Sequence, residues 1–323
     1  MVSLPPKVLE AAQVLRVDRV TAEVVGLFEG AGIRTVLLKG PSFRGWLYPE
    51  GGRSYTDSDL LVPSDRLEDA RAVLRDAGFE LAGKQRAFND PQPGYAWARP
   101  SDGAQVDLHE SIHGVGVEPG RFWGAVSAGT TTMEVGGRRV EVFGLAVRLL
   151  HVVLHAAQHS EDRPTTQVDL ERGVDAAVPE LWSETLALAR RLDAVETFRR
   201  GLALTGRGDE VARALGLEPW VDPGPTVEQV LRRTSPGEPV VGGLAALLKA
   251  KGLRKKASLV VYRVFAAESL RAWTPLARRG SAGLWVARVA RPFWLLLRMP
   301  RAIPRFLAAR RTAREARRER ANP

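Results

Sequence analysis

The run Asp57-Ser58-Asp59-Leu60-Leu61-Val62 constrains the fold more than any other stretch of the chain. Leu60, Leu61 and Val62 are apolar at consecutive positions, so a strand there is covered on both faces and lies in a sheet interior. Asp57 and Asp59 are two apart at its mouth, and the period of two sends both carboxylates out of one face. Carboxylates that close repel at neutral pH unless a cation lies between them. The run offers hard oxygen ligands and the chain has no Cys, which suits Mg²⁺ or Mn²⁺ rather than zinc. Alone, an Asp-x-Asp pair is more often a turn or a solvated edge than a metal site, so its surroundings carry the reading.

Upstream, Leu37-Leu38-Lys39-Gly40-Pro41-Ser42 is an apolar strand that ends in glycine and enters a helix. Such a junction presents backbone N–H groups and a positive helix end to phosphate oxygens. Gly40 lets a phosphate approach the backbone, Ser42 can donate a hydrogen bond, and Lys39 can neutralise phosphate charge. A solvated strand-end lysine and a plain capping serine are the alternatives. Downstream, Gln105-Val106-Asp107-Leu108-His109 alternates, which puts Asp107 and His109 on one face and their apolar neighbours on the other. If this strand lies beside the first, Asp57, Asp59 and Asp107 meet in one cleft, as a two-metal phosphoryl transfer requires. His109 could then orient a carboxylate or contact substrate.

Hydrophobic periodicity and Gly/Pro punctuation organise the rest. An amphipathic helix is expected over Pro6 to Glu29, with Val8, Leu9, Ala12, Leu15, Val24, Leu27 and Phe28 as its apolar positions. Strands are expected at Ile33 to Leu38, Asp57 to Val62, around Phe79-Glu80-Leu81, at Gly94 to Arg99 and at Ala104 to His109. A helix to about Ala77, capped by Ser64 or Asp65, separates the second and third of these. Met133 to Phe143 reads as a hairpin turning at Gly136-Gly137. Helices then dominate, at about 145–159, 166–177, 180–191, 194–204 and 208–216. His151, His155 and His159 form one stripe on the first of them, lining a groove beside the sheet or packing there.

The combination of Leu37-Leu38-Lys39-Gly40, Tyr48-Pro49, Arg53, Asp57-x-Asp59-Leu60-Leu61-Val62 and Val106-Asp107-Leu108-His109 resembles the uncharacterised nucleotidyltransferase family, within the DNA polymerase β-type superfamily. The resemblance covers about residues 30 to 175 and includes His155 and His159. It implies that Gly40 and Ser42 hold a nucleoside triphosphate, that Asp57 and Asp59 bind metal, and that Asp107 completes the metal site and helps activate an acceptor hydroxyl. Arg53 matches a position where that family favours arginine, through loop packing or phosphate contact. Asp169 fits a family position too, and a helix-start or surface aspartate explains it as well. Two departures stand out: Pro41 separates the glycine from the serine, and Ser58 sits where the family has an aliphatic residue.

Charge divides the chain. Residues 245–323 hold 20 Lys and Arg against three acids, about +17, and the preceding 244 residues carry about −7. In the basic part Trp273, Trp285, Phe293, Trp294 and Phe306 are interleaved with arginines. These ingredients suit an amphipathic helix pair packing on the front half, an anionic membrane surface or nucleic acid. The last twelve or so residues are expected to form a frayed helix or stay disordered. Leu284 to Leu297 is interrupted by Arg288, Arg291 and Pro292 and is too short to span a bilayer. No signal-peptide pattern opens the chain, so a cytoplasmic protein, soluble or peripheral to a membrane, is expected.

The expected fold is thus α+β: a small mixed sheet with flanking helices over 1–143, a helical domain over 144–244, and a basic amphipathic region over 245–323. The expected activity is Mg²⁺-dependent transfer of a nucleoside monophosphate from an NTP to an acceptor hydroxyl. The alternative is a non-catalytic binding or regulatory module, partnering a toxin or a biosynthetic complex.

Overall fold

A computed structural model describes residues 5–81, 94–159, 164–222, 224–235, 240, 243–244, 246–247, 250 and 252–321. They form two compact units, 5–81 with 94–221, and 222–321. Position 143/144, the expected first boundary, falls inside the first unit.

In the first unit the order is α1 (Pro6–Gly30), β1 (Val36–Leu37), α2 (Pro41–Leu47), β2 (Ser58–Leu61), α3 (Leu67–Asp76), β3 (Glu80–Leu81), β4 (Gly94–Arg99) and β5 (Ala104–His109). Then come α4 (Pro119–Val126), β6 (Thr130–Val135), β7 (Arg138–Phe143), α5 (Leu145–His159), α6 (Pro164–Ala176), α7 (Pro179–Arg191), α8 (Val195–Leu202) and α9 (Gly206–Ala214). Among the described residues the strands make one mixed seven-stranded sheet, ordered β3-β4-β5-β2-β1-β7-β6. β2 runs parallel to β5, and β1 parallel to β7, while β1 and β2 are antiparallel. The Leu60-Leu61-Val62 strand is therefore an interior one, as its apolar run demands.

Alternate strand residues feed two cores. Leu37, Leu60, Val106 and Leu108 pack with Val24 and Phe28 of α1 and Leu74 of α3. Val36, Leu38 and Leu61 pack on the other face with Phe43 of α2 and with Leu149, Val153, Leu170 and Phe198 of the helical layer. One core thus joins sheet and helices. Gly201 is part of the reason: a Cβ there would stand 2.3 Å from the Val153 carbonyl oxygen, so α8 lies directly on α5.

Several local expectations change. In α1 the buried side is Val14, Val17, Val20, Thr21, Val24, Val25 and Phe28, whereas Val8, Leu9, Leu15 and Leu27 are exposed. Two apolar stripes compete on that helix, and the one spaced at three and four residues from Val14 onward meets the sheet. β1 is shorter than Ile33–Leu38. Neither Ser64 nor Asp65 caps a helix; Pro63 precedes a 3₁₀ turn at Ser64–Arg66. Helix α4, about two turns long, is an addition to the helices expected from periodicity. The hairpin turns at Gly136 and Gly137 as expected, with φ of +56° and +80°.

The second unit contains α10 (Val227–Thr234), α11 (Leu253–Phe265), α12 (Ala267–Trp273) and α13 (Gly280–Ala321). A Thr226–Gln229 capping box opens α10. Of the two expectations for the end, helix and disorder, the structure has helix: α13 continues to Ala321, through Pro292, Pro300 and Pro304. No helix of the described residues is long and apolar enough to cross a membrane.

Candidate active site

Parallel pairing decides the geometry of the acids. Asp59 is the Cα partner of Asp107, and Leu61 of His109. Residues opposite one another in adjacent strands share a face, so both carboxylates leave the sheet on the side of α2 and the helical layer. The preceding residue, Ser58, faces α1, where its Oγ accepts a 2.8 Å hydrogen bond from Thr21 Oγ1. This is how the strand buries a serine in place of an aliphatic residue.

Asp59, Asp107 and His109 each bring a ligand atom within 4.8 Å of the others. Asp59 is 3% exposed. Its Oδ1 lies 2.8 Å from Lys39 Nζ and 3.1 Å from His109 Nε2. Burial alone would raise the Asp59 carboxyl; the Lys39 ammonium and the His109 hydrogen bond outweigh it and hold the group well below the usual carboxylate range. The donor set fits a small divalent cation, since two carboxylates from adjacent strands supply hard oxygens at one point. Asp57, half-buried just ahead of β2, is outside this group of three.

A second polar cluster supports the loop between α2 and β2. Arg53 Nε and Nη2 donate to Asp169 Oδ1 and Oδ2 at 2.9 and 2.8 Å, a bidentate pair. Tyr48 Oη donates to the same Oδ1 at 2.7 Å. Asp169 is 1% exposed in the middle of α6, which rules out a helix-start or surface role. Burial opposes the charge on Arg53, and the Asp169 carboxylate more than restores it. Arg53 also stands over the Phe43 ring, 5.3 Å from its centroid. Arg172 stacks on Tyr48 at 4.1 Å. Loop packing is therefore what Arg53 does in this structure.

Gly40 takes φ +63°, a conformation glycine adopts without strain, and it opens α2. Ser42 is 0% exposed, and its Oγ is buried without a hydrogen-bond partner among the described residues. It is thus covered in this conformation rather than presented to a ligand. The histidine stripe is real and packed: His151, His155 and His159 follow one another at ring-centroid distances of 5.9 and 4.9 Å. His151 also meets Phe43 edge-on at 5.5 Å. Burial, and then the nearby Lys39 ammonium, push the His151 imidazole down to about 3.

A profile described as uncharacterised nucleotidyltransferase matches residues 8–207, more than half of the chain. The chain belongs to this nucleotidyltransferase family. No curated protein sequence matches it. Among solved structures, it is similar to the antibiotic-resistance factor ANT(2'')-Ia at 14% identity, covering 58% of this chain and 96% of that one, with a TM-score of 0.41. It is also similar to a nucleotidyltransferase-like antigen of Paracoccidioides brasiliensis at 19% identity, covering 59% and 94%, with a TM-score of 0.36. The lincomycin-bound lincosamide antibiotic adenylyltransferase LnuA matches at 15% identity over 48% and 94%, with a TM-score of 0.33. The overlap is low in every case, so membership of the family rests on the match over 8–207.

Of the residues singled out in this chain from sequence, the fold brings Lys39, Asp59, Asp107 and His109 together. Arg53 is engaged by Asp169, His155 lies in the histidine stack, and Ser42 is enclosed. Sequence spacing did not reveal that Lys39 would pair with Asp59, or that Tyr48 would bond Asp169. Both contacts join segments with no local pattern in common.

Proposed function

We propose that the chain transfers a nucleoside monophosphate from a nucleoside triphosphate to an acceptor hydroxyl, with pyrophosphate released. One observation carries this reading: Asp59 and Asp107 leave the same sheet face from directly opposed positions, in a chain of the nucleotidyltransferase family. Asp59 and Asp107, with Asp57 at the strand mouth, would hold Mg²⁺ or Mn²⁺. Such an ion supplies charge neutralisation at the phosphates and a lowered pKa for the attacking hydroxyl.

The side chains do the rest. His109 fixes the orientation of Asp59 through its 3.1 Å hydrogen bond. Asp107 receives the acceptor's proton. Lys39, paired with Asp59, turns its ammonium to the triphosphate when that charge arrives. Gly40 allows a phosphate to come close to the backbone at the start of α2. Arg53 acts at a distance, because its pair with Asp169 secures the loop that leads into β2.

The test is pyrophosphate release from each NTP with and without Mg²⁺, repeated with Asp59→Asn and Asp107→Asn. Losses of about a thousandfold are expected from each substitution, on the scale of removing a group that acts in the transition state. Activity retained by both variants would remove the proposal. The Lys39–Asp59 ion pair favours a second reading, since it already satisfies the buried acid without a metal: a nucleotide-binding regulatory module. Calorimetric NTP binding with no pyrophosphate release from any acceptor pool would select that one.

A further inference from the structure

Helix α13 carries apolar side chains on two sides. Toward its own unit it buries Ala287, Ala302, Ala309 and Ala313, and Leu284, Trp294, Leu295, Met299 and Phe306 pack partly buried beside them. The opposite side is apolar as well but uncovered: Trp285, Val286, Val289, Phe293, Leu296 and Leu297 are all exposed, Trp285 at 65%, Phe293 at 64% and Leu297 at 75%. At about 100° per residue these six fall within an arc of about 120°. Ile303 and Leu307 continue the same arc, so the stripe runs about 33 Å along the helix. A contiguous apolar surface of this length on a soluble unit marks a contact site.

Its electrostatic setting chooses the partner. Between positions 269 and 314 there are eleven arginines and no Asp or Glu. Arg301 is exposed about 40° past the edge of the stripe, and beyond Leu307 the same arc carries exposed Arg311, Arg314 and Arg318 against one acid, Glu315. A second copy of the chain would bring two acid-free arginine surfaces together. Nucleic acid would meet arginines at its phosphates, but Val286, Val289, Leu296, Leu297, Ile303 and Leu307 offer no ring to stack on bases. An anionic bilayer satisfies both features at once, with acyl chains for the aliphatic and aromatic stripe and headgroup phosphates for the arginines.

We propose that the outward face of α13, from Trp285 to Leu307, docks the chain parallel to the surface of an anionic lipid bilayer. The helix lies in the interface rather than across it, in keeping with the arginines that punctuate its length.

The experiment is flotation of the full chain with vesicles of phosphatidylcholine alone and of phosphatidylcholine with about a third phosphatidylglycerol. Binding is expected to the anionic vesicles, weakening as salt is raised. The variant W285E/F293E/L297E is expected to lose about tenfold or more of that binding, with circular dichroism and melting temperature unchanged because these side chains are already exposed. The variant R301Q/R311Q/R314Q is expected to lose the preference for anionic lipid. Failure of the intact chain to float, or equal flotation by the glutamate variant, overturns the proposal. So does binding of a single-stranded oligonucleotide without vesicle binding. A dimer that the glutamate variant dissociates, again without vesicle binding, assigns the face to a second copy and overturns it too.

Discussion

Asp59 and Asp107 stand directly across the parallel β2–β5 pair from one another, and His109, one same-face position further on, is hydrogen bonded to Asp59. The nearness of these groups follows from register alone, because residues paired across parallel strands share a face and a level. A shift of one residue would have turned Asp107 into the opposite core, among Leu37, Leu60 and Leu74.

If the group holds a divalent ion, His109 tunes it through Asp59. His109→Gln is expected to weaken Mn²⁺ binding by about 10- to 100-fold, as loss of an orienting partner does elsewhere. Asp107→Asn should weaken it at least as much. Calorimetric titration checks both, and undiminished affinity in Asp107→Asn counts against the shared site.

Lys39 Nζ, 2.8 Å from Asp59 Oδ1, is the counter-charge of that buried carboxylate. Lys39→Met strands that carboxylate and should cost about 3 kcal/mol of folding stability. Added Mn²⁺ should then raise the melting temperature of the variant more than that of the parent chain, since the ion replaces a charge the variant lacks. Equal shifts in the two proteins would show that the metal does not meet Asp59.

The Arg53–Asp169 pair should behave as a structural clamp. Breaking it from either side, by Arg53→Met or Asp169→Asn, is expected to cost about 3–5 kcal/mol, because one member is left buried without its partner. Tyr48→Phe removes one hydrogen bond to a charged group and should cost about 1.5 kcal/mol. Urea unfolding of the single and double variants measures the coupling. Additive losses would contradict a shared clamp.

His151 links folding to pH. Its imidazole has an ordinary value of 6.5 and is pushed down to about 3 in the fold. Between these values the unfolded chain binds a proton that the native state refuses. The contribution is therefore intact above pH 6.5 and is lost as pH falls toward 3, at up to about 1.4 kcal/mol per pH unit. His151→Phe should flatten this part of a melting-temperature profile against pH, while the parent chain keeps its slope.

Short-range chemistry made much of this protein legible. The apolar Leu60-Leu61-Val62 run is an interior strand, Gly136-Gly137 turns a hairpin, and the helices from α5 to α9 lie close to where periodicity puts them. The same alternation placed Asp107 and His109 on one face of β5. Each of these follows from a repeat of two or 3.6 residues, which any short window contains.

Other features depended on folding in three dimensions. Val14 to Phe28 faces the sheet in α1 instead of the competing leucine stripe, Tyr48 and Arg53 converge on Asp169, and Lys39 reaches Asp59. In α13 Trp294, Leu295 and Phe306 pack inward while Trp285, Phe293, Leu296 and Leu297 turn outward. A side chain's periodic position tells which neighbours share its face, but the surface that face meets is contributed by distant chain. Free energy is gained only when that surface arrives, and so no window of local sequence contains the choice.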